Sequence, residues 1–138
     1  MLDLFAGTGA MGLEALSRGA LFCFFVDKSA EAVSLVRENV QLCAAQDRSR
    51  IIQGPVASAI RRLGSENELF DLIFMDPPYG KGYIEKTLEI VGPVARKDAL
   101  VVAEHHIKDK PPMLPVLVWQ KDRERRYGDT LISVYSRS

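Results

Sequence analysis

The chain has 138 residues, 47% of them hydrophobic and 26% charged, which suits one soluble domain with a single core and excludes a disordered or fibrous chain. With 18 basic residues against 18 acidic ones, overall charge gives no argument for nucleic-acid binding, so any such contact has to come from a local patch. The apolar run 21–26 is far too short to cross a bilayer, and Cys23 and Cys43 lack ligand spacing, so they read as reduced, buried thiols of a cytoplasmic protein.

In chain order, Met1–Phe5 reads as the end of a strand and residues 10–18 as a helix with Met11, Ala15 and Leu16 on its apolar stripe. The run Leu21–Val26 reads as a parallel strand covered on both faces. Ser29 is a candidate cap for the next helix, whose stripe is Ala32, Val33, Val36 and Val40. A short strand at Ile51–Ile52, a helix over 56–63, a strand at Phe70–Met75, a helix at Ile84–Val91 and a strand at Ala99–Ala103 follow. This alternation predicts an α/β fold, with a mostly parallel twisted sheet and helices on both faces. Beyond the Pro111-Pro112 loop the pattern changes to Pro115–Lys121 and Thr130–Tyr135, two strand-like segments joined by a polar stretch, expected as an antiparallel pair at the sheet edge. No repeat or domain boundary interrupts residues 1–138. The first strand starts at Met1 with no lead-in, which fits either a short chain or a lost upstream segment.

Two loops carry the chemistry. Asp3-Leu4-Phe5-Ala6-Gly7-Thr8-Gly9-Ala10-Met11-Gly12 joins the first strand to the first helix, with glycines that allow a tight turn and a close backbone approach to a ligand. Asp27 ends the second strand, where a carboxylate can take two ribose hydroxyls, so this much fits NAD and S-adenosylmethionine alike. Asp3 tips the balance. A carboxylate before the glycines either anchors the loop's amides or meets a cationic amino group, and it repels the pyrophosphate that NAD would place there.

Phe70–Met75 delivers Asp76-Pro77-Pro78-Tyr79, whose two prolines stiffen an extended loop. In a doubly wound sheet the fourth strand lies beside the first, so Asp76 and the glycine loop are expected across one crevice. An exocyclic amine is a poor nucleophile because its lone pair is delocalised into the ring. Asp76 and the carbonyl of Pro77 can accept its two hydrogens and turn the lone pair toward a methyl donor. Tyr79 can stack a flipped-out base. Lys81 is a candidate phosphate contact. Glu104, His105 and His106, after the fifth strand, read as a polar cleft rim rather than a metal site. Trp119 reads as packing. Arg125, Arg126, Tyr127 and Gly128 read as a turn-like basic element suited to a nucleic-acid backbone.

Four stretches, LDLFAGTGAMGLEALSRGA at Leu2–Ala20, VDKS at Val26–Ser29, FDLIFMDPPY at Phe70–Tyr79 and RRYGDTLISVY at Arg125–Tyr135, make the chain resemble the bacterial small-subunit (16S) ribosomal RNA methyltransferases that modify guanine at N2. The resemblance implies a Rossmann-like class I methyltransferase sheet in the order 3-2-1-4-5-7-6, with S-adenosylmethionine as cofactor, ribosomal RNA in an assembled or partly assembled small subunit as partner, and a monomer. It implies that Asp3, Gly7 and Gly9 line the methionine end of the cofactor and that Asp27 holds its ribose. Phe5, Thr8, Lys28, Ser29, Gly54 and Val56 are the other expected cofactor-binding residues, and Asp76–Tyr79 hold the target base. There are two departures. Pro55 stands where the resemblance expects an acid near the adenine amino group, and the Arg- and Thr-rich segment expected before the first strand is absent.

Overall fold

The structure, a computed structural model, describes residues 1–109 and 118–137. Its elements run β1 (Leu2–Leu4), α1 (Ala10–Ser17), β2 (Cys23–Asp27), α2 (Ala30–Leu42), β3 (Ser49–Gln53), α3 (Val56–Ser65), β4 (Phe70–Met75), α4 (Tyr83–Ile90), β5 (Ala95–His106), β6 (Trp119–Tyr127) and β7 (Thr130–Arg137). The strands form one sheet in the order β3-β2-β1-β4-β5-β7-β6. The first five strands in this order make four parallel pairs, while β7 runs antiparallel to both β5 and β6. This is the predicted class I methyltransferase order, and β4 does lie against β1, with Leu4 opposite Met75.

Strand alternation assigns the two faces. Leu2, Leu4, Val26, Ile73 and Met75 join Ile60 and Leu63 of α3 and Ile84 and Leu88 of α4 in one cluster. Cys23 and Phe25 point the other way, to Leu16 of α1 and Val36 and Val40 of α2. The apolar run before Asp27 is continuous because β2 is covered on both sides. The Ser29 hydroxyl caps α2, accepting the Ala32 N–H at 3.2 Å, and Val33, Val36 and Val40 are the buried stripe.

Gly12 shows how tightly α1 sits on β2. A Cβ there would lie 2.4 Å from Phe25 Cε1 and 2.7 Å from Cys23 Sγ, both in the core. Overpacking of that kind costs about 1–3 kcal/mol, against about 1 kcal/mol that alanine gains over glycine in a helix. Gly12→Ala is therefore expected to lower the midpoint of denaturant unfolding. An unchanged or raised midpoint would show that α1 can move off β2 at no cost.

Several expectations are corrected. Cys43 is exposed, because the chain turns to solvent after Leu42, and only Cys23 is buried; both are free. β5 begins at Ala95 and carries Glu104, His105 and His106 within the strand rather than after it. The basic stretch is no loop: β6 runs to Tyr127, and Gly128-Asp129 alone make the hairpin turn, with Gly128 at φ 62°. Residues 111–112 and 115–117 lie outside the described residues, so the loop expected there and the start of the strand expected at Pro115–Lys121 have no structural counterpart. Trp119 packs as expected, buried and covered by the Arg137 guanidinium 5.1 Å from its ring. Among the described residues no helix is long and apolar enough to cross a membrane.

Candidate active site

The glycine loop leaves β1 through Phe5, which has a φ of 58°. A bulky side chain in the left-handed region is strained, and strain of this kind concentrates at ligand sites. The Phe5 ring rests edge-on against Tyr83 of α4, 5.5 Å between centroids. Gly7 and Gly9 also have positive φ, but for different reasons. A Cβ on Gly9 would press on Phe25 and Val36 at 3.3 Å, so Gly9 serves packing. A Cβ on Gly7 would meet no protein atom, so Gly7 leaves open space beside the loop. Thr8 is exposed, and its carbonyl accepts from the Asn39 amide at 2.9 Å.

The two acids share the anchoring of the glycine segment 3–12. Asp27 Oδ2 accepts the Gly7 N–H at 2.9 Å, and its Oδ1 accepts the Ser29 N–H at 3.0 Å. A carboxylate has about four lone-pair sites, so each oxygen can still take a ribose hydroxyl. Asp3 is buried and accepts the Gly12 N–H at 3.1 Å. Burial, and the nearby Asp76 and Asp27 carboxylates, push its carboxyl up to about 7 against the single hydrogen bond from Gly12.

Between these loops and α4 lies a cleft of about 550 Å³, within the range of ligand pockets, lined by Phe5, Asp27, Lys28, Val56, Asp76, Pro77 and Pro78. It stands at the carboxyl ends of β1 and β4, where strand order reverses. Pro55 is part of this wall, and Pro55, Val56 and Ala57 give its β3 side no carboxylate. Gly54 is fixed by its N–H to the Asp27 carbonyl at 2.9 Å, and the Ser29 hydroxyl is engaged in its cap. Residues of α4 that the sequence reading missed, Tyr83, Lys86 and Thr87, also line the cleft. Their helical spacing reads only as packing. A second concavity of about 580 Å³, around Phe22, Phe24 and Phe70, lies at the amino ends of the strands, away from both loops.

Asp76 is exposed at the rim of the cleft, and among the described residues its carboxylate makes no hydrogen bond. Partial burial, together with the Glu104 carboxylate, holds its carboxyl above the ordinary range. Pro77 is buried, whereas Tyr79 is 59% exposed. The loop is pinned from β5: the Gly80 N–H donates to Asp109 Oδ2 at 3.1 Å, and Tyr79 meets the His106 ring at 5.4 Å. Neither His106 nor Asp109 could be assigned this contact from sequence, because only tertiary pairing brings them to the loop. Lys81 is exposed between Gly80 and Gly82. His105 faces away from its neighbours, its Nε2 at 2.9 Å from the buried Ser133 hydroxyl.

Asp27 and Asp76 line the cleft beside Lys28 and Lys86, and Asp3 lies buried behind it, close enough to be affected by both carboxylates. With the 3-2-1-4-5-7-6 sheet and a cleft between the glycine loop and Asp-Pro-Pro-Tyr, the fold and site define a class I S-adenosylmethionine-dependent methyltransferase. The chain belongs to the family described as "Conserved hypothetical protein 95", whose model matches residues 1–136. It is 31% identical over 140 residues to YlbH of Bacillus subtilis, provisionally named an rRNA methyltransferase, covering 99% of this chain and 74% of that one. It is 29% identical over 139 residues to "Ribosomal RNA small subunit methyltransferase D" of Escherichia coli, covering 99% of this chain and 67% of that one. A solved conserved hypothetical protein from Streptococcus pyogenes superposes with a TM-score of 0.89 at 30% identity, over 99% of this chain and 84% of that one.

Proposed function

We propose that residues 1–138 form one domain that methylates the exocyclic N2 amine of a guanine in small-subunit ribosomal RNA. The observation that carries the reading is the stiff Asp76-Pro77-Pro78-Tyr79 loop at the cleft, with an uncommitted carboxylate at one end and an exposed aromatic ring at the other. The names of the Bacillus subtilis and Escherichia coli relatives support the choice of ribosomal RNA and of the small subunit. The protein acts as a cytoplasmic monomer on this reading.

S-adenosylmethionine supplies a methyl group on a sulfonium centre. Asp27 holds the ribose hydroxyls, the Gly7–Gly9 turn lies along the methionine end, and Asp3 meets its ammonium group. Lys28 and Val56 flank the ribose and the adenine, which Pro55 leaves to apolar packing and backbone groups. Asp76 and the Pro77 carbonyl accept the two hydrogens of the target amine, so its lone pair leaves the ring plane. Tyr79 stacks the base, and holding both reactants in line provides much of the rate. Asp76 would take the proton the nitrogen loses as the methyl carbon parts from the sulfonium sulfur, which leaves as a neutral thioether. Lys81 is offered to a phosphate.

The test is transfer of labelled methyl to small-subunit ribosomal RNA, free or in particles, followed by digestion to nucleosides. The expected product is N2-methylguanosine. Label in N6-methyladenosine instead would move the enzyme to a different amine. Label in no nucleic acid, from a chain that binds S-adenosylmethionine, would reject the reading.

A further inference from the structure

The β5–β7–β6 end of the sheet has two unlike faces. On one, Val101, Ala103, His105, Ser133 and Tyr135 are buried. On the other, Val102, Glu104 and His106 of β5 and Thr130, Ile132 and Val134 of β7 are all half-buried, and Leu100 is exposed. The register carries this open face outward in rows, because residues directly opposite one another across a ladder share a face. Glu104 is opposite Ile132, which is opposite Arg125. His106 is opposite Thr130, which is opposite Tyr127. Val102 is opposite Val134, which is opposite Arg123.

The inner end of these rows is the Asp76–Tyr79 loop. Phe74 pairs with Val102, so Asp76, two residues on, falls on the same face beside Glu104, in agreement with the effect of Glu104 on its carboxyl. Tyr79 touches His106 in the next row. From Asp76 to Arg125 is three strand spacings, about 14 Å, a reach of a few nucleotides. Among the described residues neither Arg123 nor Arg125 is in an ion pair. Both wall a shallow depression of about 130 Å³ with Tyr127, Ile132 and Val134, with Glu124 also at its margin. Tyr127 is 60% exposed. The acids of this face are Asp76 and Glu104, and Asp122 lies next to Arg123 in the β6 bulge. Arg126 is one residue out of step. It is opposite Leu131 on the other face, and its Nε donates to the Gly128 carbonyl at 2.7 Å.

We propose that the RNA strand runs over this open face, with the target base at Asp76–Tyr79, a neighbouring base on His106 and Tyr127, phosphates on Arg125 and Arg123, and Arg126 outside the contact. This rests on the RNA reading above and gives the strand a path. A single strand fits it because two aromatic rings in one row, followed by an arginine in each of the next two, serve splayed bases and backbone together.

Binding of a fluorescently labelled, guanine-containing single-stranded RNA, followed by anisotropy across a salt series, tests the path. Arg125→Ala is expected to weaken binding about tenfold at low salt and to reduce the salt slope by about one. Tyr127→Ala is expected to weaken it about tenfold with the slope unchanged. Arg126→Ala should stay within about twofold of the unsubstituted chain. All three sites are exposed, and a thermal melt of each variant serves as the control for folding. Loss from Arg126→Ala equal to that from Arg125→Ala, in a chain that does bind and methylate RNA, overturns the path and leaves the function standing. Absence of RNA binding by the unsubstituted chain overturns both.

Discussion

Asp76→Ala is expected to slow methyl transfer about a thousandfold while leaving the dissociation constant for S-adenosylmethionine within about twofold, because one preorganised group aimed at the reacting centre is worth roughly 10²–10³ in rate and proton acceptance adds to it. The separation of effects follows from position. Asp27 and the glycine loop are held by their own hydrogen bonds, Gly7 N–H to Asp27 and Gly12 N–H to Asp3, and none passes through Asp76. Asp76→Asn keeps one acceptor and loses the charge, so it should fall between the unsubstituted chain and Asp76→Ala. The pH profile adds a second readout. Partial burial and Glu104 raise the Asp76 carboxyl, so activity that needs the carboxylate is lost, as pH falls, at a higher pH than an ordinary aspartate would give. Glu104→Gln removes the like charge and should move that acid limb to lower pH. Transfer by Asp76→Ala at the unsubstituted rate would remove Asp76 from the chemistry. Equal loss of rate and cofactor affinity would place it in the cofactor site instead.

Much of this site was readable from residue order because the signals were local. A buried parallel strand ending in Asp-Pro-Pro-Tyr has few alternatives, and Phe70–Met75 is a strand over the predicted residues. The βαβ alternation fixed which loops lie at the carboxyl ends of β1, β2 and β4, and so brought Asp27, Phe5 and Asp76 to one cleft. What failed was the reading of strands that lack an apolar signature. Residues 119–127 of β6 are polar after Trp119 because an edge strand with an open face has little to bury, so the residues after Lys121 read as a polar connection and Arg125–Gly128 as a turn. The same blindness grouped Arg125 with Arg126. Spacing puts them side by side, whereas the pleat sends them to opposite faces, and only the register with β7 shows which face looks toward Asp76. The Asp109 clasp on Gly80 and the Phe5–Tyr83 contact join residues far apart in sequence, and no short-range pattern encodes them.

Asp3→Asn should make the chain more stable at neutral pH and a poorer cofactor binder, and the two effects have one cause. The ordinary carboxyl value of 3.8 is raised to about 7 in the fold, chiefly by burial. The folded chain therefore holds a proton there that the unfolded chain releases. The stability this gives is fully present below 3.8, is lost as pH rises toward about 7, and above that the penalty stays constant. At about 1.4 kcal/mol for every pH unit between the two values, the loss is on the order of 4 kcal/mol. Asparagine keeps an acceptor for the Gly12 N–H and has no charge to desolvate. Its unfolding free energy should rise by roughly that amount at most near pH 7.5, with a flatter pH dependence between 4 and 7. On the proposed reading, the cofactor's ammonium group would compensate the carboxylate, a trade of stability for function. Binding then draws the proton off Asp3, so affinity should fall by up to about tenfold for each pH unit below about 7. Calorimetry in two buffers of different ionisation enthalpy should detect the released proton. Asp3→Asn should bind about ten- to a hundredfold more weakly, as expected for a lost charged hydrogen bond, and should release none. A stabilised Asp3→Asn that binds as tightly as the unsubstituted chain would leave Asp3 as a strut for α1 and assign the ammonium group to another carboxylate. Weaker binding with no gain in stability would show instead that the carboxylate is already compensated before the cofactor arrives.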